Sequence, residues 1–213
     1  DLTDQIKGLK TNLIAAINTG AIAGLTSEQL GAMSTAQIVQ ISSQQLGAFS
    51  TEQIAAISTD DVSALTGRQI TAMSTAQMRA LTTNQIVALK PSQVVSIPTQ
   101  SMAALDGDQI AAFTAAQVAY LTSSQMGSLT SDQIGALTTT QVTQLKAAQL
   151  AAINTTALAG FDSDQIAAFS AVQIGGLKTE QIAAFGTAQI AAIENGDFAK
   201  LSDRKSTRLN SSH

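Results

Sequence analysis

Large apolar side chains come in pairs three residues apart, and the pairs recur every eight residues: Ile54 and Ile57, Val62 and Leu65, Ile70 and Met73. This pattern holds one phase from Leu2 to Leu201, twenty-five octads without an inserted or deleted residue. Ser50–Ile57, STEQIAAI, is representative. With Ser50 as position 1, positions 5 and 8 are large and apolar, positions 6 and 7 are mostly Ala or Gly, and position 1 is usually Ser or Thr. Position 4 is Gln in nineteen octads. Self-similarity at a fixed period is the mark of a repeat architecture.

Ser/Thr-x-x-Gln is a capping box, in which the hydroxyl accepts the backbone N–H of the fourth residue and the Gln side chain reaches back to the cap's own N–H. The flanking apolar residues at positions 8 and 5, such as Phe49 and Ile54, satisfy the hydrophobic staple around such a cap. A helix is therefore predicted to start in every octad, with six or seven residues available before the next start. Gln29, Gln53, Gln133, Gln165 and Gln181 are typical structural capping residues. The acids agree. Every Asp and Glu between residues 2 and 201 lies at position 1, 3 or 4, where the positive end of a helix dipole favours it. Both prolines agree as well: Pro91 sits at a first helical position, and Pro98 at a cap forces a break after Ile97.

The predicted fold is an all-α solenoid, a superhelical array of very short helices with one per octad. A single continuous helix fails, because eight residues leave about 80° of drift per octad and the apolar stripe would spiral round the whole surface. A coiled coil needs a seven- or eleven-residue period. A β-solenoid repeats in short coils, but Gln, Ala and Gly suit strands poorly. One octad cannot fold alone, so stability belongs to the stacked array. Glycines concentrated at positions 6 and 7, among them Gly31, Gly47, Gly175 and Gly176, point to close approach between helices.

Residues 2–201 read as a single array with an irregular start at 2–25, where Leu13 and Ala21 replace Gln. Later losses of Gln, at Asp61, Ser101, Ala157 and Asp197, follow Ala21 at intervals of 40, 40, 56 and 40 residues. They divide the array into higher-order units 26–65, 66–105, 106–161 and 162–201. Residues 202–213 break the pattern and are expected to be a disordered tail; 203–213 resemble translated sequencing-adapter read-through. The first residue is Asp, which suggests a fragment or a processed form, and no signal peptide or membrane-spanning run is present in it.

The octads, for instance LTSDQIGAL at 129–137, resemble the LTxxQIxAL-type arrays of large secreted or surface proteins of bacteria. Those proteins are adhesin-like and often described as haem-utilisation or calcium-binding. The resemblance implies an extracellular or cell-surface location and transfers no functional residue.

The array holds no Cys and no His, which removes thiol chemistry, His acid–base catalysis and the usual zinc sites. No catalytic, cofactor or metal residue is assigned. Asp106 with Asp108, and Asp162 with Asp164, are the best carboxylate pairs, but the later Glu of a Ca²⁺ loop is missing and each reads as a cap plus a first-turn acid. Asp60 and Asp61 read the same way. Eight basic against thirteen acidic residues within 2–201 argue against nucleic acid, and membrane insertion is not expected. The remaining surface feature is the Ser/Thr content of positions 1 and 2. Thr59, Thr75, Thr139 and Thr179 are not needed by the capping box and are candidates for a surface-binding row. The expected function is a non-enzymatic spacer or scaffold, such as an adhesin stalk. The alternative is a binding module presenting Ser/Thr rows to a protein, a glycan or ice, and self-association fits either.

Overall fold

A computed structural model describes the backbone of residues 2–197 and the side chains of residues 3–193. Among the described residues there are 24 helices and no strand, one helix for each successive octad. Numbered α1 to α24 by octad, the first 23 are four to six residues long, slightly shorter than the spacing predicts. In α7 (Thr51–Ala56) the Ile54 N–H donates to the Ser50 carbonyl at 3.1 Å and the Ile57 N–H to the Ile54 carbonyl at 3.3 Å. The last bond closes a tighter turn. Ile57 is then extended, at φ −64° and ψ 134°, so two successive non-helical residues, at positions 8 and 1, redirect the chain.

No described residue has a positive φ, glycines included. The bends therefore need no glycine; Gly127, Gly135, Gly160 and Gly176 lie at close approaches between helices, whereas Gly31 and Gly175 face open space, against the expectation from their positions. Pro91 opens α12 (Pro91–Val94), and Pro98 is the N-cap of α13 (Thr99–Met102). Positions 5 and 8 form the core; Ile54 and Ile57 are 0% and 4% exposed.

The chain forms two compact units, Asp1–Ala104 and Leu105–His213. In the first, helices three octads apart pack on each other, as α8 (Thr59–Ala64) does on α11 (Thr83–Ala88). The second repeats this with α14 (Gly107–Ala112) on α17 (Ser131–Gly135). Glutamine side chains reach back one octad further, 28 and 31 residues, as in Gln85 to Ile57 and Ile54. One turn of each solenoid thus takes between three and four octads. The 40-residue spacing of the lost glutamines is not a turn.

The helix bodies touch at their smallest residues. A Cβ added to Gly160 would stand 1.9 Å from the Ser131 carbonyl oxygen, and one on Gly176 would stand 2.5 Å from the Ala147 Cβ. Position 7 of one octad lies against position 2 of the octad three before it.

One junction departs from the expected break. The last helix, α24, runs from Thr187 to Asp197 through the junction of two octads. Glu194 occupies that cap position; Glu lacks the short acceptor side chain of a good N-cap and is a strong helix former. The tail at 202–213 lies outside the described residues.

Candidate functional site

The residues with the most polar chemistry in the array are the position-4 glutamines, and from Gln37 onward the fold buries them, while Gln5 is exposed and Gln29 half-buried. Gln53, Gln133, Gln165 and Gln181 are 5%, 3%, 2% and 1% exposed. Each uses both ends of its amide. Gln165 Oε1 accepts the Asp162 N–H at 2.8 Å, and the Gln165 N–H donates to Asp162 Oδ1 at 2.7 Å. Its Nε2 donates to the carbonyls of Ile134 at 3.1 Å and Leu137 at 2.5 Å. Those carbonyls end α17, where four acceptors lack helical partners. One side chain therefore closes the start of its own helix and the end of the helix four octads earlier.

The same arrangement recurs along both units. Gln53 Nε2 reaches Ala23 at 3.0 Å and Leu25 at 2.6 Å, and Gln181 Nε2 reaches Leu150 and Ile153 at 2.8 Å each. Gln133 Nε2 reaches Leu105 at 2.8 Å. Gln29 forms the cap, with Oε1 2.9 Å from the Thr26 nitrogen and its own N–H 3.2 Å from Thr26 Oγ1. Where Lys occupies position 1, half of the box persists. The Lys90, Lys146 and Lys178 N–H groups still donate to Gln93, Gln149 and Gln181, but an ammonium has no lone pair to return to the N3 amide.

Ala157, which lacks the amide, is compensated from position 1. Asn154 Oδ1 accepts the Ala157 N–H at 2.8 Å while Nδ2 donates to the Gly127 carbonyl at 3.3 Å and the Leu129 carbonyl at 3.5 Å. Asn18 with Ala21 repeats the cap half of this exchange at 2.8 Å. Asp61 is 5% exposed and bonds within its own octad, accepting from Ser58 Oγ at 2.7 Å.

The carboxylate pairs are caps. Asp106 Oδ1 accepts the Gln109 N–H at 2.8 Å, as Asp162 does for Gln165, and among the described residues no group of three or more His, Cys, Asp or Glu converges on a metal position. The Glu52 carboxyl is held below its usual value by its own backbone N–H and by the hydroxyls of Ser50 and Thr51.

The four candidate threonines do not form one row. Thr59 and Thr139 are exposed, whereas Thr75 and Thr179 are half-buried. Thr59 and Thr75 lie two octads apart in the first unit, and Thr139 and Thr179 five octads apart in the second. With three to four octads per turn, neither pair shares a side. Thr75 belongs to α10 (Thr75–Arg79), which α13 covers in part; no described contact accounts for the burial of Thr179. An open cleft of about 450 Å³ in the first unit is lined by Gln40, Ser42, Ser43, Gln44, Thr66 and Arg68, among others.

Segments 3–35, 27–59, 54–91, 68–99, 94–131, 102–139 and 164–195 match the model of the ALTTAQ repeat. The chain belongs to the ALTTAQ repeat family. ALTTNQ at 80–85 and ALTTTQ at 136–141 are its closest renderings of that motif. In both, the ALTTAQ unit straddles a helix break, running from position 7 of one octad to the Gln of the next. No curated protein matches the chain. The leucine-rich repeat-containing protein LegL7 of Legionella pneumophila is similar over 91% of this chain and 79% of that chain, at 14% identity. Its TM-score of 0.23 carries no argument about shape or role.

Proposed function

We propose that the array is a non-enzymatic spacer or scaffold segment of a secreted or cell-surface bacterial protein, adhesin-like in setting. The observation that carries this reading is the use made of the glutamines. Side chains able to read a ligand are turned inward and hold successive coils together, so the repeated chemistry serves the shape of the array. Stability in such arrays is a sum over repeats and their interfaces, which lets length vary without loss of fold. Threonines that lie on different sides of a coil give no flat surface for a glycan or an ice face.

Changing Thr59, Thr75, Thr139 and Thr179 together to Ala tests the choice between spacer and binder. The fold should survive, since surface substitutions shift stability by within about 0.5 kcal/mol each. Glycan-array and ice-shaping signals should be absent from parent and variant alike, and any self-association should be unchanged. A parent signal that disappears in the quadruple variant would replace the spacer by a binding module.

A further inference from the structure

Within each unit, every pair of described helices in close packing lies three octads apart. In the first unit α1 (Leu2–Lys7) packs on α4 (Ser27–Gly31), α4 on α7, α7 on α10 and α10 on α13. In the second, α15 (Ala115–Val118) packs on α18 (Thr139–Gln144), α18 on α21 (Ser163–Ala167) and α21 on α24. Each unit is therefore a stack whose first and last octads lie at opposite ends. The glutamine bonds reach one octad further and stop there, at 28 and 31 residues for Gln85, Gln93, Gln173 and Gln181. Among the described residues an end octad is thus held by the coil beside it, and its release leaves the later coils intact.

This distribution of contacts decides how the chain answers a pull on its ends. A fold tied across its whole length must break many contacts at once. Here force loads the end octad, which carries only its own share of the stack. That share is two buried side chains, such as Ile174 and Leu177, and one amide, such as that of Gln173. No Cys is present to cross-link one coil to another. Positions 8 and 1 are already extended, as at Leu177 (ψ 141°) and Lys178 (ψ 158°), and give each octad a joint at which to swing away. Return is as local as release. A freed octad docks on a standing coil by closing a short loop, and the entropy cost of closure grows with loop length.

The ties are also uneven. Asp61 stands where a glutamine would reach the Leu30 and Met33 carbonyls, 31 and 28 residues back, but its side chain accepts from Ser58 within its own octad. Ala157 has no amide, and Asn154 reaches the earlier coil at 3.3 and 3.5 Å, longer than the glutamines manage. Octads held unequally let go at unequal forces, which spreads the extension over a range of load. We infer that the array is an extensible tether: under tension each unit gives up length from its ends, octad by octad, and takes it back when tension falls. This rests on the spacer reading and adds that the spacer buffers force.

Pulling the full chain by its two ends in optical tweezers tests this. One released octad adds about 26–29 Å of contour, and four together about 110 Å. Extension should proceed in increments no longer than those four octads, and the relaxing trace should follow the stretching trace. Asp61→Gln supplies the donor that its octad lacks and should raise the force of one increment alone. Gln85→Leu removes the bonds to Ile54 and Ile57 and should lower the force of one increment, leaving the others in place. Three results each overturn the tether. They are release of the 104 residues of the first unit in one event of about 340–370 Å, relaxation that lags far behind stretching, and a substitution that shifts every increment together. Any of them leaves the spacer standing, whereas a ligand signal lost in the threonine variant removes the spacer and the tether's role with it.

Discussion

Gln165→Leu is expected to destabilise the protein by about 2–4 kcal/mol, whereas Gln29→Leu should cost about 0.5–2 kcal/mol. Both substitutions remove the acceptor for a cap N–H: Asp162 in one case, Thr26 in the other. Losing Gln165 also takes the side-chain donor from the Leu137 carbonyl and from the Ile134 carbonyl, of which the latter keeps the Leu137 N–H. The site is nearly dry, with Gln165 only 2% exposed, so water cannot replace what is lost. Gln29 is half-buried and its described side-chain bonds stay within its own octad, which leaves only its cap at stake. Chemical denaturation of the two variants decides the matter. Equal losses would reduce the buried amide to a cap and nothing more.

Gly160→Ala and Gly175→Ala should move stability in opposite directions. The Gly160 Cβ position is 1.9 Å from the Ser131 oxygen and 2.7 Å from its carbonyl carbon, all backbone. Neighbouring coils must separate to admit a methyl, a strain of about 1–3 kcal/mol. Nothing lies within 4 Å of the Gly175 position, inside α22 (Ala171–Gly176). Alanine there gains helix propensity of about 1 kcal/mol. Melting temperatures should fall for the first and rise for the second. A rise at Gly160 would show that the coils are packed less closely than described.

How far the molecule can be read from its residues depends on the range of the interaction. Ser50, Gln53, Phe49 and Ile54 are neighbours in the chain, so the cap, the staple and the start of α7 follow from spacing alone. The run-on of α24 departs from a helix start in every octad, although Glu194 at a cap position is a signal that the residues offer. The second bond of the buried glutamines was not legible. Gln165 meets Leu137 only because the coil closes in under four octads, and that number depends on the angle between helices, which no local pattern sets. Thr59, Thr75, Thr139 and Thr179 do not line up because equal position within an octad is not equal direction in space. Asn154 with Ala157, and Asn18 with Ala21, were a signal that spacing did offer, since Asn at position 1 replaces the amide lost at position 4.

The central claim is that within each unit buried glutamines tie their octads to those four before them, and nuclear magnetic resonance of the side-chain amides tests it most directly. The Gln165 Nε2 protons should show proximity signals to Leu137, 28 residues away, and exchange with water far more slowly than those of Gln40, which is exposed. Gln165 protons that exchange as fast as those of Gln40, with signals only to Asp162, would contradict the account.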